Sequence, residues 1–253
     1  MKQQVLIEVC ANSATSALAA QEGGALRVEL CENLYEGGAT PSYGQILIAR
    51  KLLNIKLYVL IRPRSGDFLY SDIEFDIMKA DVQFCADIGC DGVVIGILKP
   101  DGSVDKERCA KLIAIAKQRG LGVTFHRAFD MVNDMFQAVE DIIDLGCERI
   151  LTSGGKTTAI EGCGKIANLI RKAAGRIIIM PGSGVNENNV TDLVNYTQAK
   201  EVHLSARSRV QSKMEYVNDH ILMDDKSGNE YTIDVTDSNR VKQVFRLANN
   251  SFV

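Results

Sequence analysis

The sequence predicts an α/β protein that folds as a single (β/α)8 TIM barrel with an extended C-terminal segment. Eight short runs of β-branched and aliphatic residues recur along the chain, and helical stretches separate them without an intervening linker. A doubly wound open sheet is the alternative. That fold places a G-x-G-x-x-G turn after its first strand, where this chain has CANSATSA instead.

The predicted strands are short and follow one another at intervals that leave room for a helix. They are VLIEVC (5–10), RVELC (27–31), LYVLIRP (57–63), GVVIGIL (92–98), GVTFH (122–126), RILTSG (149–154), RIIIMPG (176–182) and EVHLSA (201–206). The stretches between them, such as KERCAKLIAIAKQRG and DMFQAVEDIIDLG, repeat apolar residues at spacings of three and four, which indicates amphipathic helices. Glycines that close such stretches, among them Gly120 and Gly146, are typical of helix C-terminal caps.

The chain is predicted to be one domain over residues 1–253, with a barrel core over 1–207 and a C-terminal extension with a last helix over 208–253. The extension is longer than one final helix requires. It contains a polar loop, DDKSGNE (224–230), a possible strand, YTIDVT (231–236), and the helix DSNRVKQVFRLANN (237–250). Residues 208–230 form a lid, an oligomer contact or a plain insertion, and we expect a homo-oligomer.

Composition narrows the classes of function. The net charge of −3 and the absence of a basic run argue against a nucleic-acid partner. No apolar stretch approaches the roughly 18–20 residues of a membrane span, and the apolar run in MKQQVLIEVCANS is shorter than a secretory signal needs, so we expect neither feature. Seven cysteines without the spacing of a disulfide framework fit reduced thiols, so we expect a cytoplasmic protein.

Strand parity predicts which side chains line the barrel interior. Side chains alternate along a strand, and the aliphatic set should meet the helices. The polar set therefore points inward, with Cys10, Cys31, His126 and Ser205 nearest the C-terminal mouth, where active sites of this fold gather. His203, one step deeper in strand 8, is expected to be a hydrogen-bonded lining residue.

Strands 1 and 2 carry matching Glu-x-Cys pairs, Glu8 with Cys10 and Glu29 with Cys31. Two thiolates on adjacent strands suit a soft ion such as Cu(I), or part of a zinc site, whereas carboxylates are poor Cu(I) ligands. The competing interpretation is structural. Buried cysteine is common, and an inward glutamate often pairs with an inward arginine such as Arg27 or Arg62.

The strand 5 end, FHRAFD, and the end of strand 3 add cationic candidates. His126 can act as an acid, a base or a ligand. Arg127 can reach an anion with Asp130 orienting it, and Arg62 can join the same anion site. The alternative is a purely structural network of these side chains in the strand-to-helix loop.

The loops after strands 6 and 7, TSGGKTT (152–158) and PGSGVNEN (181–188), are rich in glycine. Such loops let backbone N–H groups approach an anion, and late strand ends of this fold often hold a phosphate. The predicted anion-binding residues here are Gly154, Gly155, Gly182, Ser183 and Gly184. GGKT resembles the end of a P-loop, but Ile150 stands where that motif needs glycine.

Five segments follow one another along the chain to about Arg207: RVELCENLYEGGATPS, RPRSGDF with YSD after it, VTFHRAFD, LTSGG and EVHLSA. Together they resemble the copper homeostasis protein CutC family. The resemblance implies a (β/α)8 barrel, a cytoplasmic location and a role in copper tolerance through Cu(I) binding. It also implies that Cys10 and Cys31 are the Cu(I) ligands, and no organic cofactor is indicated.

Two other functions stay open because the mouth carries more polar groups than one copper ion needs. The first is an enzyme acting on a small anionic or phosphorylated metabolite, with His126 as acid/base, Glu8 or Glu29 as a second carboxylate and the arginines as an anion clamp. The second is a non-catalytic binder of a small molecule. The expected partners are thus a copper ion or a small anionic ligand.

Overall fold

Eight parallel strands form the barrel wall, as predicted. The computed structural model describes residues 4–218, 220–221 and 230–250. The strands are β1 (Leu6–Ala11), β2 (Arg27–Leu30), β3 (Lys56–Leu60), β4 (Gly92–Ile95), β5 (Gly122–Phe125), β6 (Arg149–Thr152), β7 (Ile178–Pro181) and β8 (Glu201–Leu204). Hydrogen-bonded neighbours run in sequence order from β1 to β7, and β8 pairs with β1. Strands β7 and β8 lie side by side, which nearly closes the barrel.

The helices surround this wall. They are α1 (Ala14–Glu22), α2 (Tyr43–Leu52), α3 (Asp72–Asp87), α4 (Lys106–Gln118), α5 (Met135–Leu145), α6 (Cys163–Ala173), α7 (Val190–Thr197) and α8 (Ser238–Asn250). Local sequence explains their ends. At the start of α3 the Ser71 hydroxyl accepts from the Glu74 N–H, and the Glu74 carboxylate accepts from the Ser71 N–H. Gly146 ends α5 with a φ of 80°.

The main hydrophobic core lies between the strands and the helices. The aliphatic side chains at alternate positions of the strands are buried there, among them Ile7, Val9, Val28 and Leu30. Each such large side chain contributes about 1.5–3 kcal/mol by its burial. The predicted division is therefore confirmed: aliphatic residues face the helices, and the polar set is left for the interior of the barrel.

The C-terminal segment begins with an antiparallel hairpin and ends with a barrel helix. Strands β9 (Arg207–Gln211) and β10 (Thr232–Thr236) pair with each other, and the predicted strand and last helix are both present. Helix α8 packs against α1 and α7 and completes the ring of helices. Most of the predicted polar loop at 224–230 lies outside the described residues. Within the described ranges, none of the helices has both the length and the apolar character needed to cross a membrane.

Candidate functional site at the barrel mouth

The C-terminal mouth of the barrel opens into a cavity of about 470 Å³. Most of the predicted site residues line it: Cys10, Cys31, Glu29, Arg62, His126, Arg127, Ser183 and Gly184. Glu8 lies one layer deeper on β1, and Gly154, Gly155 and Gly182 lie outside the lining. The cavity is within the size range of small-ligand sites.

Beneath the cavity, charged side chains fill the barrel interior. Arg27 donates to the carboxylates of Glu8 and Glu201, and all three side chains are buried. Arg149 also reaches Glu201, with its Nε 3.2 Å from Oε2. The guanidinium groups of Arg27 and Arg149 lie over the Tyr58 ring, at 5.3 and 5.2 Å from its centroid. Of the two expected partners of the inward glutamates, Arg27 pairs with Glu8, whereas Arg62 pairs with neither.

His203 connects this charged layer to the cavity. Its Nδ1 lies 2.7 Å from Oε1 of Glu8, and its Nε2 lies 3.5 Å from Oε2 of Glu29. Burial by itself lowers the pKa of His203, but Cys10, Glu8 and Glu29 together raise it well above its ordinary value. Burial also raises the pKa of Glu8, yet Arg27 and His203 outweigh this and hold it well below its ordinary range. Both shifts favour the charged forms of the pair, an imidazolium beside a carboxylate.

The two thiols meet at the floor of the cavity. The Sγ atoms of Cys10 and Cys31 are 3.0 Å apart, and Cys31 also lies 3.6 Å from the Ala11 carbonyl oxygen. The hydrogen bond with Cys31, burial and nearby Glu29 raise the pKa of Cys10 well above its ordinary value. One ligand atom each from Cys10, Glu29 and His203 lies within 4.8 Å of the others. The structure thus assembles soft and borderline metal ligands where the sequence predicted the two thiols alone.

His203 is a hydrogen-bonded lining residue, as the sequence predicts: it bonds to Glu8 and lines the cavity. Its place among the possible metal ligands is what the sequence did not predict. The pairing register between β8 and β1 could have revealed this, because it places His203 opposite Glu8. Pairing β8 with β1 in that register brings His203 beside Glu8 and Cys10, the first Glu-x-Cys pair.

Glu29 differs from Glu8 in its surroundings. It is opposite Cys10 in the β1–β2 register and is buried. Burial raises the pKa of Glu29, His203 opposes this, and the nearby Glu8 adds to the rise. Of the three predicted catalytic residues, Glu29 is therefore the one whose environment favours holding a proton.

His126 is held in one tautomer. Its Nδ1 accepts a hydrogen bond from the Ala128 N–H at 3.1 Å, so the ring proton is on Nε2, which is buried and has no partner among the described residues. Burial, together with the charge of Arg62, lowers the pKa of His126 to about 3. This arrangement suits His126 to donating a hydrogen bond from Nε2 rather than to the predicted acid–base role.

The low pKa of His126 makes stability depend on pH. Because the unfolded chain takes up a proton near pH 6.5 and the folded chain does not, unfolding becomes easier as the pH falls below that value. We expect the free energy of unfolding of the parent, relative to His126→Asn, to fall by about 2 kcal/mol between about pH 8 and pH 5. Urea denaturation across this range measures it. The exposed His220, replaced by Asn, is the control, and parallel pH curves for the parent and His126→Asn contradict the prediction.

Arg62 is buried and anchored by backbone oxygens. Its Nη1 donates to the carbonyls of Glu36 and Gly38 at 2.9 and 2.5 Å, and its Nη2 donates to that of Gly66 at 2.8 Å. The Nε atom is buried without a partner among the described residues. These contacts hold the loops after β2 and β3 together over the cavity.

Asp130 organises the glycine-rich loop after β6. It orients Arg127, whose Nε lies 2.8 Å from Oδ2, as the sequence predicted. It also accepts hydrogen bonds from the backbone N–H groups of Ser153 and Gly155, each at 3.0 Å, while the Gly154 N–H donates to Thr152 Oγ1 at 2.9 Å. These amides are already satisfied inside the protein, so Gly154 and Gly155 offer no N–H to an anion in this arrangement.

The loop after β7 has a different role at its two ends. The Gly182 N–H donates to the Thr152 carbonyl at 2.9 Å, and a Cβ at this position would lie 2.4 Å from a Leu151 methyl carbon, so a larger residue would have to displace the Leu151 side chain. Ser183 and Gly184 reach the cavity. Ser183 adopts a φ of 82°, which is uncommon for a residue with a side chain. The predicted anion-binding set in this loop thus narrows to Ser183 and Gly184.

Comparison with known proteins agrees with the fold and the sequence pattern. The model of the CutC family matches residues 5–208. A family protein CutC of Xylella fastidiosa is 51% identical over 241 residues, covering 95% of this chain and 88% of that protein. The human copper homeostasis protein cutC homolog is 46% identical over 249 residues, covering 98% of this chain and 90% of that protein.

Solved structures agree as well. A crystal structure of a CutC protein from Streptococcus agalactiae is 35% identical, with a TM-score of 0.76, covering 80% of this chain and 99% of that chain. Thiamine phosphate pyrophosphorylase from Pyrococcus furiosus, at 13% identity and a TM-score of 0.60, shares the fold alone. The match of the family model over most of the chain, together with these relatives, shows that this chain belongs to the CutC family.

Proposed function

We propose that this protein binds Cu(I) at the barrel mouth through Cys10 and Cys31, as part of copper homeostasis in the cytoplasm. The observation that carries the proposal is the pair of Sγ atoms 3.0 Å apart at the floor of the cavity. Thiolates are the protein ligands that Cu(I) prefers. The human and mouse relatives are named as copper homeostasis proteins, and all seven cysteines here are free thiols, as expected in a reducing compartment.

The surroundings of the thiols fit a two-thiolate Cu(I) site. Two thiolates and one Cu(I) carry a net charge of −1, which the imidazolium of His203 beside Cys10 balances. Glu29 supplies carboxylate oxygens, which Cu(I) disfavours, so we assign it no direct bond to the metal. The sulfurs must move apart on binding, because two metal–thiolate bonds of roughly 2.3 Å at a tetrahedral angle already place them roughly 3.8 Å apart.

Native mass spectrometry of the reduced protein with Cu(I) tests the proposal and also counts the subunits of the expected homo-oligomer. We expect one Cu(I) per chain, retained in the presence of a competing Cu(I) chelator. Zinc is the competing ion, because Cys10, Glu29 and His203 lie close enough together to hold one, but it should be lost first, since the two thiolates are soft ligands that favour Cu(I). A chain that holds no Cu(I), or that prefers zinc, contradicts the proposal.

A further inference from the structure

A second set of cavity residues is left unexplained by copper. Three residues line the cavity but are not needed to bind a copper ion held by the two thiols: Arg62, Phe68 and His126. We call them the Arg62–His126 wall. Phe68 joins the other two: its ring lies 5.1 Å from Cζ of Arg62, and its centroid lies 5.0 Å from that of His126. The wall therefore places a guanidinium and an imidazole against the same aromatic ring, and Arg62 is close enough to His126 for its charge to act on the imidazole.

Some N–H donors of Arg62 have no hydrogen-bond partner among the described residues. A guanidinium has five N–H donors, and three of those of Arg62 are used by the carbonyls of Glu36, Gly38 and Gly66. The Nε–H, which is buried, and one proton of Nη2 have no hydrogen-bond partner among the described residues, and the buried Tyr70 hydroxyl lies near this guanidinium. The Nε and Nη2 edge of a guanidinium matches the two oxygens of a carboxylate.

The charge of Arg62 is also uncompensated. Its three partners are neutral carbonyl groups, and the described part of the chain places no acidic side chain in an ion pair with it. The other arginines that line the cavity are paired: Arg127 with Asp130, Arg207 with Asp234 and Arg240 with Glu187. A buried cation without a counter-charge is costly, so the site favours an anion.

His126 adds a neutral donor to this wall. Its Nε2–H is buried and without a partner among the described residues. The ring occupies the space above Gly96, where a Cβ would lie 2.5 Å from Cε1 of the imidazole. Glycine at this position thus lets His126 extend from β5 across β4 toward the side of the cavity that holds Arg62.

The number and charge of the donors on Arg62 and His126 indicate which class of anion fits the Arg62–His126 wall. One guanidinium charge and one neutral donor match a monoanion with a further acceptor oxygen. A phosphate dianion calls for a second free cation or for loop amides beside Arg62. The N–H groups of Gly154, Gly155 and Gly182 are bonded inside the protein, and Ser183 and Gly184 line the cavity from the loop after β7, four strands away from β3, which precedes Arg62. We infer that the Arg62–His126 wall binds a small 2-oxo or 2-hydroxy carboxylate, with the carboxylate on Arg62 and the neighbouring oxygen accepting from His126 Nε2. The site shares the cavity with the thiol pair and does not depend on it.

Isothermal titration of the metal-free protein with pyruvate, L-lactate and inorganic phosphate tests the inference. We expect saturable binding of pyruvate or lactate at millimolar concentration or below, and weaker binding of phosphate. His126→Asn keeps an oxygen that can cap Ala128 but removes the Nε2 donor, and it should weaken carboxylate binding about tenfold or more. Arg62→Gln should abolish binding. Arg64→Gln, in the same loop but paired with Asp67 and Glu74, is the matched control and should bind as the parent does.

Three outcomes overturn the inference: no saturable binding of either carboxylate by the parent, tighter binding of phosphate than of both carboxylates, or parental affinity in His126→Asn. Because Arg62→Gln removes contacts that hold two loops, circular dichroism and melting temperature must first show that it folds, and His126→Asn decides the matter if it does not. The Cys10→Ser/Cys31→Ser variant should still bind the carboxylate. This result separates the inference from the proposed copper site, since either can fail while the other stands.

Discussion

Replacing Arg27 with methionine is expected to lower the free energy of unfolding by about 3–5 kcal/mol, one of the largest effects that a single substitution should have here. Arg27 is buried and donates to both Glu8 and Glu201. Without it, two carboxylates stay in the barrel interior with their main counter-charge gone. Burying an unpaired charge costs more than losing the packing of the arginine stem, and methionine preserves much of that packing. Urea denaturation near neutral pH measures the loss.

Two further variants test the cause of this effect. Glu8→Gln added to Arg27→Met removes one orphaned charge and should restore part of the lost stability. Arg176→Met, which breaks an exposed ion pair with Glu140, should cost much less. If Arg27→Met is no more destabilising than Arg176→Met, the buried network contributes little and the electrostatic account of the barrel interior is wrong.

The second large effect concerns copper. We expect Cys10→Ser/Cys31→Ser to weaken Cu(I) binding by more than about 100-fold, because loss of supporting partners of a metal ligand already costs about 10–100-fold. Serine keeps the shape of each side chain and removes the soft thiolate. Competition with a chromophoric Cu(I) chelator gives the affinity ratio. Each single variant should lose most of the affinity, since one thiolate cannot form the two-coordinate site.

The chain offers a matched control for this experiment. Cys85 and Cys90 also interact with each other, but they lie in the main hydrophobic core between helices and strands and not at the cavity. Cys85→Ala/Cys90→Ala should therefore retain parental Cu(I) affinity as long as the protein folds. A variant series in which the Cys85/Cys90 pair matters and the Cys10/Cys31 pair does not contradicts the proposed site.

The sequence by itself determined the barrel, the strand positions and the inward-facing set, because these depend on local periodicity. The alternation in IEVC and VELC, and in VTFH and VHLS, is enough to separate the residues buried against helices from those that face the interior. The position of Cys10 and Cys31 at one mouth follows from the same parity and from the parallel order of neighbouring strands. The helix ends at Ser71 and Gly146 follow from capping chemistry.

The tertiary structure alone decided which inward groups meet and which of their atoms remain free. Closure of the barrel between β1 and β8 brings His203 to Glu8 and the thiols, although 195 positions separate His203 from Glu8 in the chain. The Gly155 N–H, which the glycine-rich loop predicts as an anion donor, is hydrogen-bonded to Asp130 instead. Arg62 donates to backbone carbonyls rather than to the inward glutamates. The physical reason is that parity is a property of one strand, whereas partners and free donors depend on distances between strands and loops that only the closed barrel sets.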